Sequence, residues 1–416
     1  MQAFNQSTRV VITGMGLVSP IGASLEASWL SLIEGRSGIA PIASFDHSAL
    51  KTHIAGEARD FDPMRFISPH ELKKTDRFVQ MAIGAAQMAV DDSGLDWRRL
   101  DHDRMGAIVG SGMGGLPYLC APHEKLLQGG PRRGSPFYIP SVIANIAAAT
   151  ISMRFDLRGP NYCITSACSS GAHAIVDGAR WLRSRECDVM IVGGSESVMT
   201  PLSFSGFQAL GALSTRNECP REASRPWDED RDGFVIGEGA GIMILENFEH
   251  AQKRGAKIYG ELLGFGVTSD AHHQTKPAPD GEGAARAINK CLNSAGIEPT
   301  EIDYVNAHGT GTEIGDLAET AALKASFGDH ANKLWISSNK SMIGHTMGAA
   351  GAIESVFALK TLSHGIVPAT INLDRPGEGC DLDYVPRTAR EKSLRYVLKN
   401  SFGFGGVNVS ILFSRV

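Results

Sequence analysis

The sequence lacks any long apolar run. It shows neither the charged lead and hydrophobic stretch of a signal peptide nor a segment long enough to span a bilayer. The expectation is a cytoplasmic protein with no membrane association. A surplus of one charge is also missing: 40 Lys and Arg stand against 45 Asp and Glu, for a formal net charge of −5. So weak a bias argues against general affinity for nucleic acid or membranes. Paired cysteines are absent too. There are 7 cysteines, an odd number, and no Cys-x-x-Cys, which points to free thiols in a reducing compartment. No lysine-bearing phosphate loop occurs, and no low-complexity linker divides the chain.

What is present suits a large globular protein. The 416 residues are 43% hydrophobic and 20% charged, enough for a sizeable core. Short β-branched runs alternate with longer helical segments, which predicts α/β architecture with buried sheets. Strands are expected at Arg9–Thr13 (ending in a Gly turn), 106–110, 188–193, 302–305 and 334–338. Ser68-Pro69-His70-Glu71 carries a helix start, and the helical pattern is expected to run from there to Gly94. The polar stretch Arg221–Asp232 reads as a surface loop.

A weak internal echo is visible. A strand, a small-residue turn and a helix of about 169–182 surround Cys168. The same order follows Leu334, with a helix expected from about His345 to Leu362. The helices begin Ser169-Ser170-Gly171-Ala172 and Gly348-Ala349-Ala350-Gly351. Two halves of like layout would bring two helix N-termini to one site.

Four segments carry candidate chemistry. Cys168 lies where a strand turns into a helix, and a helix N-terminus favours the reactive thiolate. A buried Cys chosen for its volume fits the local sequence as well. Asn306-Ala307-His308-Gly309-Thr310-Gly311-Thr312 puts a histidine on a Gly/Thr loop after a strand. Ser337-Ser338-Asn339-Lys340-Ser341-Met342-Ile343-Gly344-His345 puts a lysine and a second histidine at a helix start, where the dipole disfavours imidazolium. Ser401-Phe402-Gly403-Phe404-Gly405-Gly406 is a glycine-rich approach to the last strand. For the last three, a satisfied loop histidine, a capped helix and a simple bend remain open at this point.

Two features are decoys. Gly110-Ser111-Gly112-Met113-Gly114-Gly115 satisfies the dinucleotide glycine spacing. However, Pro117 follows at once and no acidic residue closes a second strand at the expected distance. His272-His273 has no partner cluster that would make a metal site.

Together these segments resemble the β-ketoacyl-[acyl carrier protein] synthases of the thiolase superfamily, most closely the type II synthases of bacterial fatty-acid synthesis. The likeness runs nearly end to end. It includes Val11-Ile12-Thr13-Gly14-Met15-Gly16, Ser224-Arg225-Pro226-Trp227-Asp228 and Asp232-Gly233-Phe234. The resemblance implies a thiolase-like five-layer αβαβα fold of two similar halves, 1–255 with the nucleophile and 256–416 with the histidine pair and gating loop. It implies decarboxylative condensation of acyl- and malonyl-carrier protein in fatty-acid elongation. A type II polyketide ketosynthase is the alternative, and a non-catalytic chain-length-factor-like subunit is a more remote one.

By position, the resemblance makes Cys168 the nucleophile and His308 and His345 its catalytic partners. Lys340 and Glu319 are supporting groups, and Cys168 and Phe404 supply oxyanion donors, with Phe402 and Phe404 on the gate. Thr310 and Thr312 would hold pantetheine. Met113 and Phe207 would line an acyl tunnel. An acidic carrier protein calls for a basic patch, for which Lys73, Lys74, Arg132 and Arg133 are candidates. A homodimer with neither cofactor nor metal is implied, although some members hold a structural cation near the positions of Asn306 and Glu354. Gly311, Val407 and Asn339 replace a frequent Ser, Thr and Thr, and none of these changes removes a catalytic group.

Overall fold

The computed structural model describes residues 8–130 and 135–416. Ten strands form the main hydrogen-bonded ladder. In chain order they are β1 (Val10–Val18), β2 (Met105–Gly110), β3 (Asn161–Ile164), β4 (Val189–Glu196), β5 (Gly239–Asn247), β6 (Gly260–Ser269), β7 (Tyr304–Asn306), β8 (Trp335–Ser337), β9 (Tyr396–Gly403) and β10 (Val407–Ser414). Their spatial order is β8-β7-β9-β10-β6-β1-β5-β4-β2-β3. From the β1–β6 junction outward, each arm reads the same way: two antiparallel pairings, then two parallel ones. The junction itself is short, pairing Val11 with Glu261 and Ile12 with Gly260.

Helices complete five layers. Helix α1 (Arg77–Ser93) covers the outer face of β1 and β5. Helices α2 (Ser170–Arg183) and α5 (Ala350–His364) pack on each other between the two arms. Helix α3 (Glu282–Ala295) covers β6 and β10, with α4 (Glu313–Phe327) beside it. Three apolar clusters fill the interfaces: one around α2 and α5, one under α1, and one under α3 and α4. Every residue of α5 from Ala350 to Leu362 is buried, as a helix enclosed by sheets on both sides must be.

Close approaches repeat across the two arms. A Cβ on Gly14 or Gly16 would lie 2.2 or 1.9 Å from carbonyl oxygens of α1, and one on Gly266 would lie 1.9 Å from the Ala287 carbonyl of α3. Glycine therefore lets each outer helix lie on its strand. Within β1 the register slips between Ile12 and Gly14. That bulge reverses the alternation, so Val10 and Ile12, then Met15 and Leu17, all face the central cluster.

Several sequence expectations need correction. β1 does not end in a turn at Gly14, because those glycines are strand residues beneath α1. The expected helix 68–94 is two helices, Pro69–Leu72 and Arg77–Ser93. Asp76 breaks the pattern by capping the second through the Phe78 N–H, and Gly94 stops it at φ 61°. Strand 302–305 is shifted to Tyr304–Asn306. Arg221–Asp232 is not simply a surface loop. Trp227 is fully buried and stacks on Tyr384 with ring centroids 4.3 Å apart, while Asp228 pairs with Arg225 and accepts from the N–H groups of Asp374 and Arg375. Pairing of its charges lets this polar stretch enter the core.

Candidate active site

Cys168 lies on the turn between β3 and α2. Ala167, just before it, has φ 51°, a conformation that costs a non-glycine residue free energy and that the surroundings must enforce. They do so with hydroxyls. Ser170 Oγ accepts from the Ser166 N–H at 2.9 Å and donates to the Ala167 carbonyl at 2.6 Å. Ser169 Oγ donates to the carbonyls of Ser401 and Val407 at 3.1 and 3.2 Å, which ties the Cys168 turn to the segment that carries Phe402 and Phe404. The N–H groups of Phe404 and of Cys168 itself point at the thiol.

Burial pushes the Cys168 thiol up to about 11, against the pull of the Lys340 charge and the Phe404 N–H. The expected thiolate preference is therefore reversed in the resting site. Loss of water outweighs the helix end, and α2 begins only at Ser170, past the cysteine.

His308 follows β7 and His345 precedes α5, their rings 5.5 Å apart at 85°. The expected helix from His345 is shorter. It starts at Ala350, after a turn at Lys340–Ile343 that Gly344 ends at φ 69°. His345 thus sits in a bend. Its N–H donates to the Val235 carbonyl at 2.7 Å, and its own carbonyl accepts from Gly237 at 2.8 Å. Both histidines are held well below the usual range, by burial first and then by the charges of Lys340 and Lys399. The neutral form expected for His345 is favoured by burial and the lysines more than by a helix dipole. His345 Nδ1 accepts from the Met347 N–H at 3.2 Å, and His308 Nδ1 faces Lys340 Nζ at 3.4 Å. Each neutral ring therefore carries its proton on Nε2.

Supporting groups stand behind the pair. Lys340 Nζ donates to the His308 carbonyl at 2.6 Å and to Glu354 Oε1 at 2.5 Å. Glu319 accepts from the N–H groups of His308 and Gly309 at 2.9 and 2.7 Å, and burial raises its pKa. It fixes the loop and does not face solvent.

One cavity of about 500 Å³ gathers the predicted residues. Cys168, His308, His345, Thr310, Thr312, Glu319, Met113, Phe207, Phe402 and Phe404 all line it. Thr310 and Thr312 join hydroxyls at 2.9 Å. Phe207 packs on Phe234, while Met113 is 44% exposed. Lys340 stays behind His308 and is not part of the lining. Lys73 is exposed, and Lys74 lies over the Phe137 ring at 4.5 Å. Arg132 and Arg133 lie outside the described residues.

Three site residues escaped sequence reasoning. Glu196 is fully buried in the cavity wall and accepts from Ser111 Oγ at 2.8 Å and the N–H groups of Met113 and Gly348 at 3.2 and 3.1 Å. This carboxylate fills the glycine loop that formally matches a dinucleotide site, so those amides are not free for phosphate. Asp316 accepts from Thr310, Gly311 and Trp227. Lys399 is fully buried beside Glu354. A charged residue inside an apolar strand run was the available signal for Glu196 and Lys399. His272 and His273 are exposed, and no metal-ligand cluster occurs among the described residues.

Residues 7–251 match the family described as "Beta-ketoacyl synthase, N-terminal domain" and residues 259–374 match "Beta-ketoacyl synthase, C-terminal domain". The chain belongs to the β-ketoacyl synthase family. Relatives named "3-oxoacyl-[acyl-carrier-protein] synthase 2" from Coxiella burnetii and Vibrio harveyi are 49% and 48% identical to this synthase. These matches span 99% and 98% of the chain and 99% of each relative. Among solved structures, a β-ketoacyl synthase from Burkholderia phymatum superposes with a TM-score of 0.92 at 34% identity, over 98% of this chain and 100% of that one. A structure described as "AntDE:AntF (apo): type II PKS acyl-carrier protein in complex with its ketosynthase bound to the hexaketide" gives 0.90 at 34%, over 98% and 99%.

Proposed function

We propose that this synthase performs the decarboxylative condensation of acyl- with malonyl-[acyl carrier protein] in fatty-acid elongation. The observation that carries this reading is convergence. A cysteine, two neutral histidines and two backbone donors meet in one apolar cavity. Cys168 sulfur attacks the acyl thioester, the bond to pantetheine sulfur breaks, and the Cys168 proton ends on the departing thiol. Malonyl-carrier protein then binds, with Thr310 and Thr312 along its pantetheine. Its carboxylate leaves as CO2, and the electron pair passes to an enolate whose oxygen accepts from His308 and His345 Nε2–H. The enolate carbon bonds to the acyl carbon. The tetrahedral oxyanion rests on the Cys168 and Phe404 N–H groups, where loss of one donor costs about 10² to 10³ in rate. The carbon–sulfur bond breaks and the Cys168 sulfur takes a proton from water.

This chemistry requires neither redox cofactor nor metal. The protein is proposed to act as a homodimer, with its halves dividing near residue 255. Among the described residues no helix is long and apolar enough to cross a membrane. A solved ketosynthase of a type II polyketide system supports a second reading, the same reaction in another pathway, but at 34% identity it stands further off than the synthase 2 relatives. The test is a mass-spectrometric condensation assay with malonyl-carrier protein and acyl-carrier proteins of short, medium and long chain. A product two carbons longer is expected, and none from Cys168→Ala. No product, with Cys168 unacylated, would favour a non-catalytic partner subunit.

A further inference from the structure

Strand β9 directs alternate side chains to opposite layers. Val397 belongs to the central cluster and Leu398 to the outer one. By that register Lys399 points inward at α5, while Asn400 points outward and reaches Glu319 at 3.4 Å. Lys399 is fully buried. Its Nζ lies 2.9 Å from Glu354 Oε2 and donates to the Asn400 carbonyl. Glu354 Oε1 is taken by Lys340. Oε2 has no other polar partner among the described residues.

One buried carboxylate thus stands between two buried ammonium groups. Uncompensated charge in an interior is costly, and this arrangement lies directly behind the histidine pair. Lys340 is the link, since it contacts both Glu354 and the His308 carbonyl. We propose that Lys399 is a positioning residue for the decarboxylation step, a tethered cation that completes the Glu354 ion pair and, through Glu354 and Lys340, holds His308 on the enolate side of the cavity. Its charge also opposes protonation of either imidazole. Besides burial, Lys340 and Lys399 lower both histidines and His345 lowers His308; Glu354 of α5 pairs with Lys340, Glu319 of α4 accepts from the His308 N–H, and the Cys168 thiol lines the same cavity. Removing one cation raises the histidine pKa, so the acid limb of a reaction that needs neutral rings moves to higher pH.

The inference rests on the proposed condensation, and the experiment separates the two. Pre-acylated enzyme is mixed with malonyl-carrier protein, and CO2 release is followed against pH, with melting temperature as the control for folding. Wild type that releases no CO2 overturns the proposed function itself. Lys399→Met is expected to slow CO2 release about tenfold or more and to move its acid limb upward. Cys168 acylation should stay within about twofold. Lys399→Arg should restore the rate, and Lys399→Ala should recover with methylammonium but not with sodium chloride at equal ionic strength. A folded Lys399→Met with wild-type rate and acid limb overturns the inference. So does a loss that neither the arginine variant nor methylammonium reverses. If Lys399→Met does not fold, these last two measurements decide.

Discussion

At Cys168 two influences oppose each other, and their balance can be measured. Burial raises the thiol to about 11 while Lys340 and two N–H groups oppose it. Thiolate at neutral pH is then a small fraction that grows about tenfold per pH unit. Alkylation by iodoacetamide should follow that slope from pH 7 to beyond pH 9, and a plateau below pH 8 would contradict the burial argument. His345→Ala should slow CO2 release far more than Cys168 acylation if its Nε2–H holds the enolate as proposed; equal loss in both steps would count against that role. The residues whose convergence was legible from sequence were those in motifs: Cys168, His308, Lys340, His345, Phe402 and Phe404. Glu196, Asp316 and Lys399 were not. For each, one deciding partner lies far off in sequence, Trp227 for Asp316 and Glu354 for Lys399, and only the fold shows that Glu196 satisfies Ser111 and Gly348 together.

At the scale of elements, the site depends on how α2 and α5 cross. A Cβ on Gly351 would lie 2.8 Å from Ala172 Cβ, and one on Gly171 would lie 2.9 Å from Ala352 Cβ. The helices meet through matching small residues, which brings the Cys168 and His345 ends together. Gly351→Ala should lower stability by about 1–3 kcal/mol through overpacking, read as a fall in the urea midpoint at unchanged slope. The matching small-residue starts were visible in sequence. Helix ends were less so, because hydrophobic period does not show that Asp76 recaps a helix or that Gly344 ends one. The glycines of β1 read as a turn because the covering helix was not yet in view.

For the whole molecule, α/β alternation and the end-to-end resemblance conveyed the architecture, while the arms' mirrored strand pairing emerged only from the structure. Net charge conveyed little about partners, since a carrier protein meets a local surface. Lys73 is exposed. Lys73→Glu should raise the carrier-protein KM up to about fivefold, less in added salt, and an unchanged KM at low salt would remove it from the docking face. The two arms also differ in one telling measure. Residues 165–169 join β3 to α2, whereas residues 338–349 join β8 to α5. The first span presents Cys168 to the cavity; the second, more than twice as long, folds back and holds both Lys340 and His345. Like arms thus carry unlike side chains because their connecting spans differ in length and content, and since every residue of 338–349 is buried, deletions there should be poorly tolerated.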